Sequence, residues 1–160
     1  MDTAAKKTVL RQFSYGLYVV TVAADGEEHG MTANWAIQAA FDPPMVAVAV
    51  ENTSRTIEMI RDAHHFALSV LHQDQRELAG KLGRSSEQSP DKLKGIRTKP
   101  APVTGTPVLA DCIGWLECRV ISALPAGDHT LVLGEVLEAG VENAEAKPLT
   151  LQGAGFKYSG

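Results

Sequence analysis

Leu17-Tyr18-Val19-Val20-Thr21-Val22-Ala23-Ala24, followed at once by Asp25-Gly26, is the stretch on which the fold class turns. Its β-branched and aromatic residues suit a pleated strand, and Asp-Gly supplies the backbone freedom that a tight hairpin turn requires. Two adjacent antiparallel strands are expected, the second running through Glu27, Glu28 and His29 to Gly30. On the N-terminal side, residues 2–12 are read as a short helix that reaches a bend at Phe13-Ser14-Tyr15-Gly16.

On the C-terminal side, Gly30–Phe41 is ambiguous, since its alanines permit helix while its place after a hairpin favours strand; only its beginning is taken as strand. Asp42-Pro43-Pro44 continues neither a helix nor a ladder and leads into Met45–Val50, whose unbroken apolarity suits a buried strand. Asn52–Ser54 can cap a helix with Arg55 and Thr56 in its first turn, Ile57, Ile60 and Ala63 facing a core, and an end near His64. Phe66–Leu71 reads as another strand, and Asp74-Gln75-Arg76-Glu77 has the form of a capping box opening a helix that Gly83 closes. Residues 84–107, rich in Pro, Ser, Lys and Thr, are expected to be a long irregular segment with one helical turn at Pro90–Lys94. Val108–Ser122 and Asp128–Val141 supply two long strands joined across Leu124-Pro125-Ala126-Gly127, and Lys147–Tyr158 a last short strand with loops. The sum is a mainly β protein of six or seven strands with two short inserted helices, best closed or half-closed as a barrel.

With 160 residues and 44% of them hydrophobic, residues 1–160 fit a single domain with one core, and no linker divides them. Fifteen Lys and Arg against nineteen Asp and Glu leave a formal charge of -4, no footprint for nucleic acid or an anionic membrane. The longest apolar run, Pro43–Val50, is too short to span a bilayer, and residues 1–11 lack a hydrophobic signal core, so a cytoplasmic protein is expected. Cys112 and Cys118 sit six apart on one face of a single expected strand, too far apart to bridge, and read as buried thiols.

Nothing matches a Gly-rich dinucleotide loop, a P-loop or a GxSxG nucleophile elbow. Asn52-Thr53-Ser54-Arg55-Thr56 gathers hydroxyls and a guanidinium at a helix start; spacing alone leaves open a phosphate site or an ordinary cap with a solvated arginine. Thr32-Ala33-Asn34-Trp35 mixes polar groups with a large aromatic where a strand should bury apolar residues, which fits either a ligand wall or a core Trp beside a hydrogen-bonded Asn. His29, His64, His65 and His72 have no partner at a metal-ligand spacing and read as structural or solvated, so no metal is expected. His129, in Gly127-Asp128-His129-Thr130 at the mouth of a strand, is the best candidate for contact with a substrate.

Several separated motifs, each weak alone, agree in order along the chain. Gly30-Met31-Thr32-Ala33-Asn34 with Phe41-Asp42-Pro43-Pro44, then Ser54-Arg55-Thr56, Phe66–Leu71, Leu116-Glu117-Cys118, Gly127–Leu131 and Gly134-Glu135-Val136 together resemble the flavin reductase-like family. The resemblance runs from Leu10 to about Tyr158 and implies an FMN-binding split β-barrel, Greek-key-like, that pairs as a homodimer with one FMN per subunit near the boundary. It implies that Thr32, Ala33, Asn34, Ile37, Gln38 and Ala39, with Trp35 in the same wall, line the isoalloxazine and ribityl chain. Ser54, Arg55 and Thr56 would hold the phosphate, and His129 would lie near the nicotinamide or the flavin. The implied reaction passes a hydride from NADH or NADPH to flavin and needs no essential protein acid or base. Where many members carry Thr-Ser-x-Ser, this chain has Ile37-Gln38-Ala39-Ala40, and Ser69 replaces a frequent Asn. The opening Ser14–Thr21 is similar to the subset that passes electrons to a rubredoxin, which implies an alternative role as an electron-transfer module for a redox protein or a monooxygenase component.

Overall fold

The computed structural model describes residues 1–158. In chain order the elements are α1 (Thr3–Leu10), β1 (Tyr18–Ala24), β2 (Glu27–Ala33), β3 (Ala36–Phe41), β4 (Pro44–Glu51), α2 (Arg55–Ala63), β5 (His65–Val70) and α3 (Arg76–Leu82). They continue as β6 (Thr98–Pro100), β7 (Pro107–Leu109), β8 (Gly114–Ala126), β9 (His129–Val141) and α4 (Leu151–Ala154). Seven strands form one antiparallel sheet in the order β2-β1-β5-β8-β9-β4-β3, and β6 pairs with β7 apart from it.

The expected hairpin is present: Asp25 and Gly26 both take positive φ (52° and 80°), and β1 pairs with β2 from Ala24↔Glu27 to Tyr18↔Ala33. β2 and β3 are the two edges of the sheet, yet only Asn34 and Trp35 separate them. Such a link reaches about 10 Å at full extension, so the sheet must curl until its opposite edges nearly meet. Trp35 completes the seam by accepting a 2.9 Å hydrogen bond from the Ala49 N–H on β4.

Alternation along β1 sends Val19 to one core and Val20 and Val22 to the other. The first core joins Val19, Ala67 and Leu71 to Leu82, Val108, Leu109 and Trp115; the second packs Val20, Val48, Phe66 and Leu68 against Ile57, Met59 and Ile60 of α2. α2 starts where its sequence signal lies, with Ser54 Oγ accepting from Ile57 N–H at 3.3 Å, and ends at His64 in the left-handed region (φ 57°).

Other elements depart from expectation. Gly30–Phe41 is strand on both sides of its break, because β3 takes its ladder from β4, from Ala36↔Val48 to Phe41↔Pro44, rather than from its own propensity. Val108–Ser122 is not one strand: β7 ends at Leu109, and the chain turns before β8 begins at Gly114. Cys112 therefore lies in that turn and Cys118 on β8, both buried and free, with thiols pushed up to about 11 and about 12 chiefly by burial. The β8–β9 turn is tighter than expected, with Ala126 paired directly to His129. Gln75 makes no cap for α3; its amide accepts from His72 N–H at 3.0 Å and donates to the Asp111 carbonyl instead. The tail is not a strand: it makes single bridges at Pro148 and Thr150 and then forms α4, capped by Thr150. No helix among the described residues is long and apolar enough to cross a membrane.

Candidate functional site

A cavity of about 930 Å³ opens where the β2–β3 junction, the start of α2, the end of α3 and the C-terminal segment converge. This is the size range of small-molecule sites. Thr32, Ala33, Asn34 and Trp35 form one wall, Ser54, Arg55 and Thr56 another, and His129 reaches it from the first position of β9. The curl of the sheet produces this meeting, since residues 32–35 lie at the seam and β9 runs beside β4, with Glu51↔His129 in register.

Three buried side-chain atoms have no hydrogen-bond partner among the described residues: His29 Nε2, Trp35 Nε1 and Thr56 Oγ1. All three residues line this one cavity. A buried polar group left unpaired costs about 1–3 kcal/mol, so three around one space mark a place for a ligand that carries both acceptors and donors. An FMN-sized molecule, with polar ring edges, a polyol chain and a phosphate, fits that donor set.

At the start of α2, Ser54 Oγ also donates to the Glu51 carbonyl at 2.8 Å. Arg55 is exposed but not free: Nη2 pairs with Glu27 at 2.7 Å and Nη1 with Glu58 at 3.1 Å. The Arg55 hydrogen bond holds the Glu27 carboxyl below the usual range. The remaining N–H groups of the guanidinium are available for an anion. Thr56 is fully buried with its hydroxyl unpaired, which an ordinary surface cap would not produce.

Across the cleft, Thr32 Oγ1 donates to the Ala79 carbonyl at 2.7 Å and ties β2 to α3. Trp35 packs against His129 with ring centroids 4.7 Å apart. His129 is 8% exposed, and its Nδ1 stands 2.6 Å from Asp128 Oδ1, a bond that lowers the exposed Asp128 carboxyl.

Ile37, Gln38 and Ala39 are not brought to this cleft. They lie exposed on β3, and Ile37 instead borders a second cavity of about 620 Å³ with Phe13, Tyr15 and Tyr18. Trp35 borders both cavities.

Among the cleft residues that escape the sequence signals are His29 and Lys92, both buried. Burial, and then the charge of nearby Lys92, push His29 down to about 4, while burial lowers the Lys92 ammonium, which donates to the Leu82 carbonyl at 3.2 Å. No local pattern marks a lysine in an irregular segment as buried; its neighbour Leu93 packs close against Gly30. The other histidines take structural places: His64 ends α2, His65 Nδ1 meets Thr106 Oγ1 at 2.9 Å, and His72 lies near Asp74 and Asp111.

The sequence pattern of the flavin reductase like domain matches residues 10–160. A flavin reductase (NADH) from Kitasatospora aureofaciens is 32% identical over 132 residues, which cover 82% of this chain and 68% of that protein. The FMN reductase (NADH) SmoA from Agrobacterium fabrum is 32% identical over 150 residues, covering 94% and 82%. High molecular weight rubredoxin from Moorella thermoacetica is 34% identical over 152 residues, covering 94% of this chain but only 64% of its own length. The chain spans about two thirds of the length of the first and third of these relatives. The solved NADH:FAD oxidoreductase SgcE6 of Streptomyces globisporus superimposes with a TM-score of 0.81 at 29% identity, over 89% of this chain and 84% of that one. The curled antiparallel sheet, the motif-bearing cleft and the match over residues 10–160 agree: the chain belongs to the flavin reductase like domain family.

Proposed function

We propose that this chain binds FMN in the 930 Å³ cleft and reduces flavin with NADH, as one domain of residues 1–160 folded as a split barrel and paired as a homodimer. The observation that carries the reading is the gathering of three unpaired buried polar atoms, on His29, Trp35 and Thr56, around one cavity at a helix start. Thr56 Oγ1, the first-turn N–H groups of α2 and the unused donors of Arg55 would hold the phosphate, with Ser54 fixing the turn. The Trp35 indole N–H, the Asn34 amide and the backbone of Thr32 and Ala33 would meet the ring edge. Glu27 and Glu58 keep the guanidinium in place from outside the cleft.

When bound, FMN supplies a ring that accepts the hydride of NADH. The side chains here then have to orient and exclude water rather than exchange protons. His129, fixed by Asp128 and by packing on Trp35, would border the nicotinamide. Relatives named for NADH support that reductant, and a cytoplasmic location is in keeping with it.

The two-residue link between opposite sheet edges supports the split barrel. Exposed Ile37 and Phe41 on β3, beside the second cavity, support a paired face that would bring Ile37, Gln38 and Ala39 against a neighbouring copy. Similarity to a high molecular weight rubredoxin supports a second reading, an FMN module that delivers electrons to a redox protein or a monooxygenase component.

Steady-state oxidation of NADH with added FMN tests the reductase reading. Sustained turnover without a protein acceptor is expected. No turnover on FMN alone, with turnover restored by a rubredoxin, would replace it by the second reading.

A further inference from the structure

The segment after α4 turns back along the cleft, and Tyr158 ends on the residues assigned above. Asn34 Nδ2 donates to its carbonyl at 3.2 Å, and its hydroxyl stands 3.3 Å from His129 Nε2. Its ring lies 5.4 Å from that of Trp35, which also packs against His129. Asp128 already engages Nδ1 of His129, so the phenol occupies the one polar contact that imidazole has left.

The anchoring of this segment is uneven. Arg76 Nε donates to the Ala154 carbonyl at 2.7 Å, the Arg76 guanidinium covers the Phe156 ring at 5.3 Å, and Phe156 N–H donates to the Leu151 carbonyl at 3.2 Å. Beyond Phe156, the hydrogen bonds and ring contacts that hold the chain among the described residues are those of Tyr158, and Tyr158 is 47% exposed. Tyr158 can therefore leave while Phe156 stays.

We propose that Tyr158 is a latch over the nicotinamide site: its phenol occupies the Nε2 edge of His129 that a nicotinamide would use, and the reductant must displace it. The proposal rests on the reading that His129 borders the nicotinamide. Two hydrogen bonds near the outer limit of length and one ring contact make a weak latch, so a substrate can open it, but only at the expense of apparent affinity. Tyr158 also touches Asn34 and Trp35 of the flavin wall, while among the described residues its hydrogen bonds and ring contacts do not reach Ser54, Arg55 or Thr56 at the phosphate wall, so the larger effect should fall on NADH and the smaller on FMN.

The test uses the FMN-loaded full chain and the variants Tyr158→Ala and Tyr158→Phe. KM for NADH is expected to fall about ten-fold in Tyr158→Ala and by less in Tyr158→Phe, which keeps the ring. A second readout needs no turnover: in protein labelled with nitrogen-15 at histidine, the His129 Nε2 resonance should shift in Tyr158→Phe without any ligand. NAD+ should move that resonance at lower concentration in Tyr158→Ala than in the natural chain. Turnover by the natural chain together with an unchanged or raised KM in Tyr158→Ala overturns the role of Tyr158 alone. Absence of NADH oxidation by the natural chain overturns the reductase reading, and this role with it.

Discussion

Thr56 carries the sharpest consequence of any single side chain, because its hydroxyl is fully buried and unpaired. Replacement by valine removes the unpaired group at nearly constant volume. Thr56→Val should therefore leave the stability of the FMN-free protein unchanged or raise it by up to about 1 kcal/mol, while weakening FMN about ten-fold. A loss of apo stability in the melt, with FMN affinity retained, would make Thr56 a core residue only. Arg55→Ala separates charge from fold in the same way: its carboxylate pairs are exposed and weak, so the thermal midpoint of the FMN-free protein should barely change. Its FMN affinity, read by titration, should fall. At His29 the sign of the pH dependence follows from a native pKa near 4 against about 6.5 in an unfolded chain. Between those values the unfolded chain binds a proton that the native imidazole refuses, so stability falls as pH drops through the window, by at most about 1.4 kcal/mol per pH unit. Above about pH 6.5 the effect is absent. Urea unfolding of His29→Gln at pH 7, 6 and 5 should show a flatter acid limb than the natural chain.

Among the elements, the β6–β7 hairpin depends on a single carboxylate. Glu117 on β8 is fully buried and accepts from Val103 N–H at 3.1 Å, from Thr104 N–H and from the Thr104 hydroxyl at 2.6 Å. The Thr104 hydroxyl is 2.7 Å from that of Thr106, which leads on to His65. Glu117→Ala would strand these donors and should cost about 3 kcal/mol, with faster amide exchange at residues 103–106 than elsewhere in the sheet. Slow exchange there would show that the hairpin holds without the carboxylate. This hairpin also marks the limit of what local sequence reveals. α2 was legible because cap, first turn and apolar spacing all lie within Asn52–Ala63. β3, β6 and β7 were not, because edge and three-residue strands take their geometry from partners distant in sequence. Gln75 misled for a related reason: its amide is drawn to Asp111, thirty-six residues away, and leaves the helix start uncapped.

For the molecule as a whole, the curl of the sheet makes one site from segments that share no local pattern. Residues 32–35, 53–56 and 129 could be chosen from the sequence because each carries a polar motif at an element end. Their meeting, and the exclusion of Ile37, Gln38 and Ala39, follow only from β2 and β3 lying on opposite edges joined by two residues. His29, Lys92 and Tyr158 enter through tertiary packing and leave no trace in the pattern. The central claim is that this closed seam is a flavin site, and a titration of FMN with the purified chain, followed by the fluorescence of the flavin, tests it most directly. Saturable quenching at one FMN per chain is predicted, weakened about ten-fold in Thr56→Val. A linear response with no saturation, or saturation indifferent to Thr56 and Arg55, would contradict it.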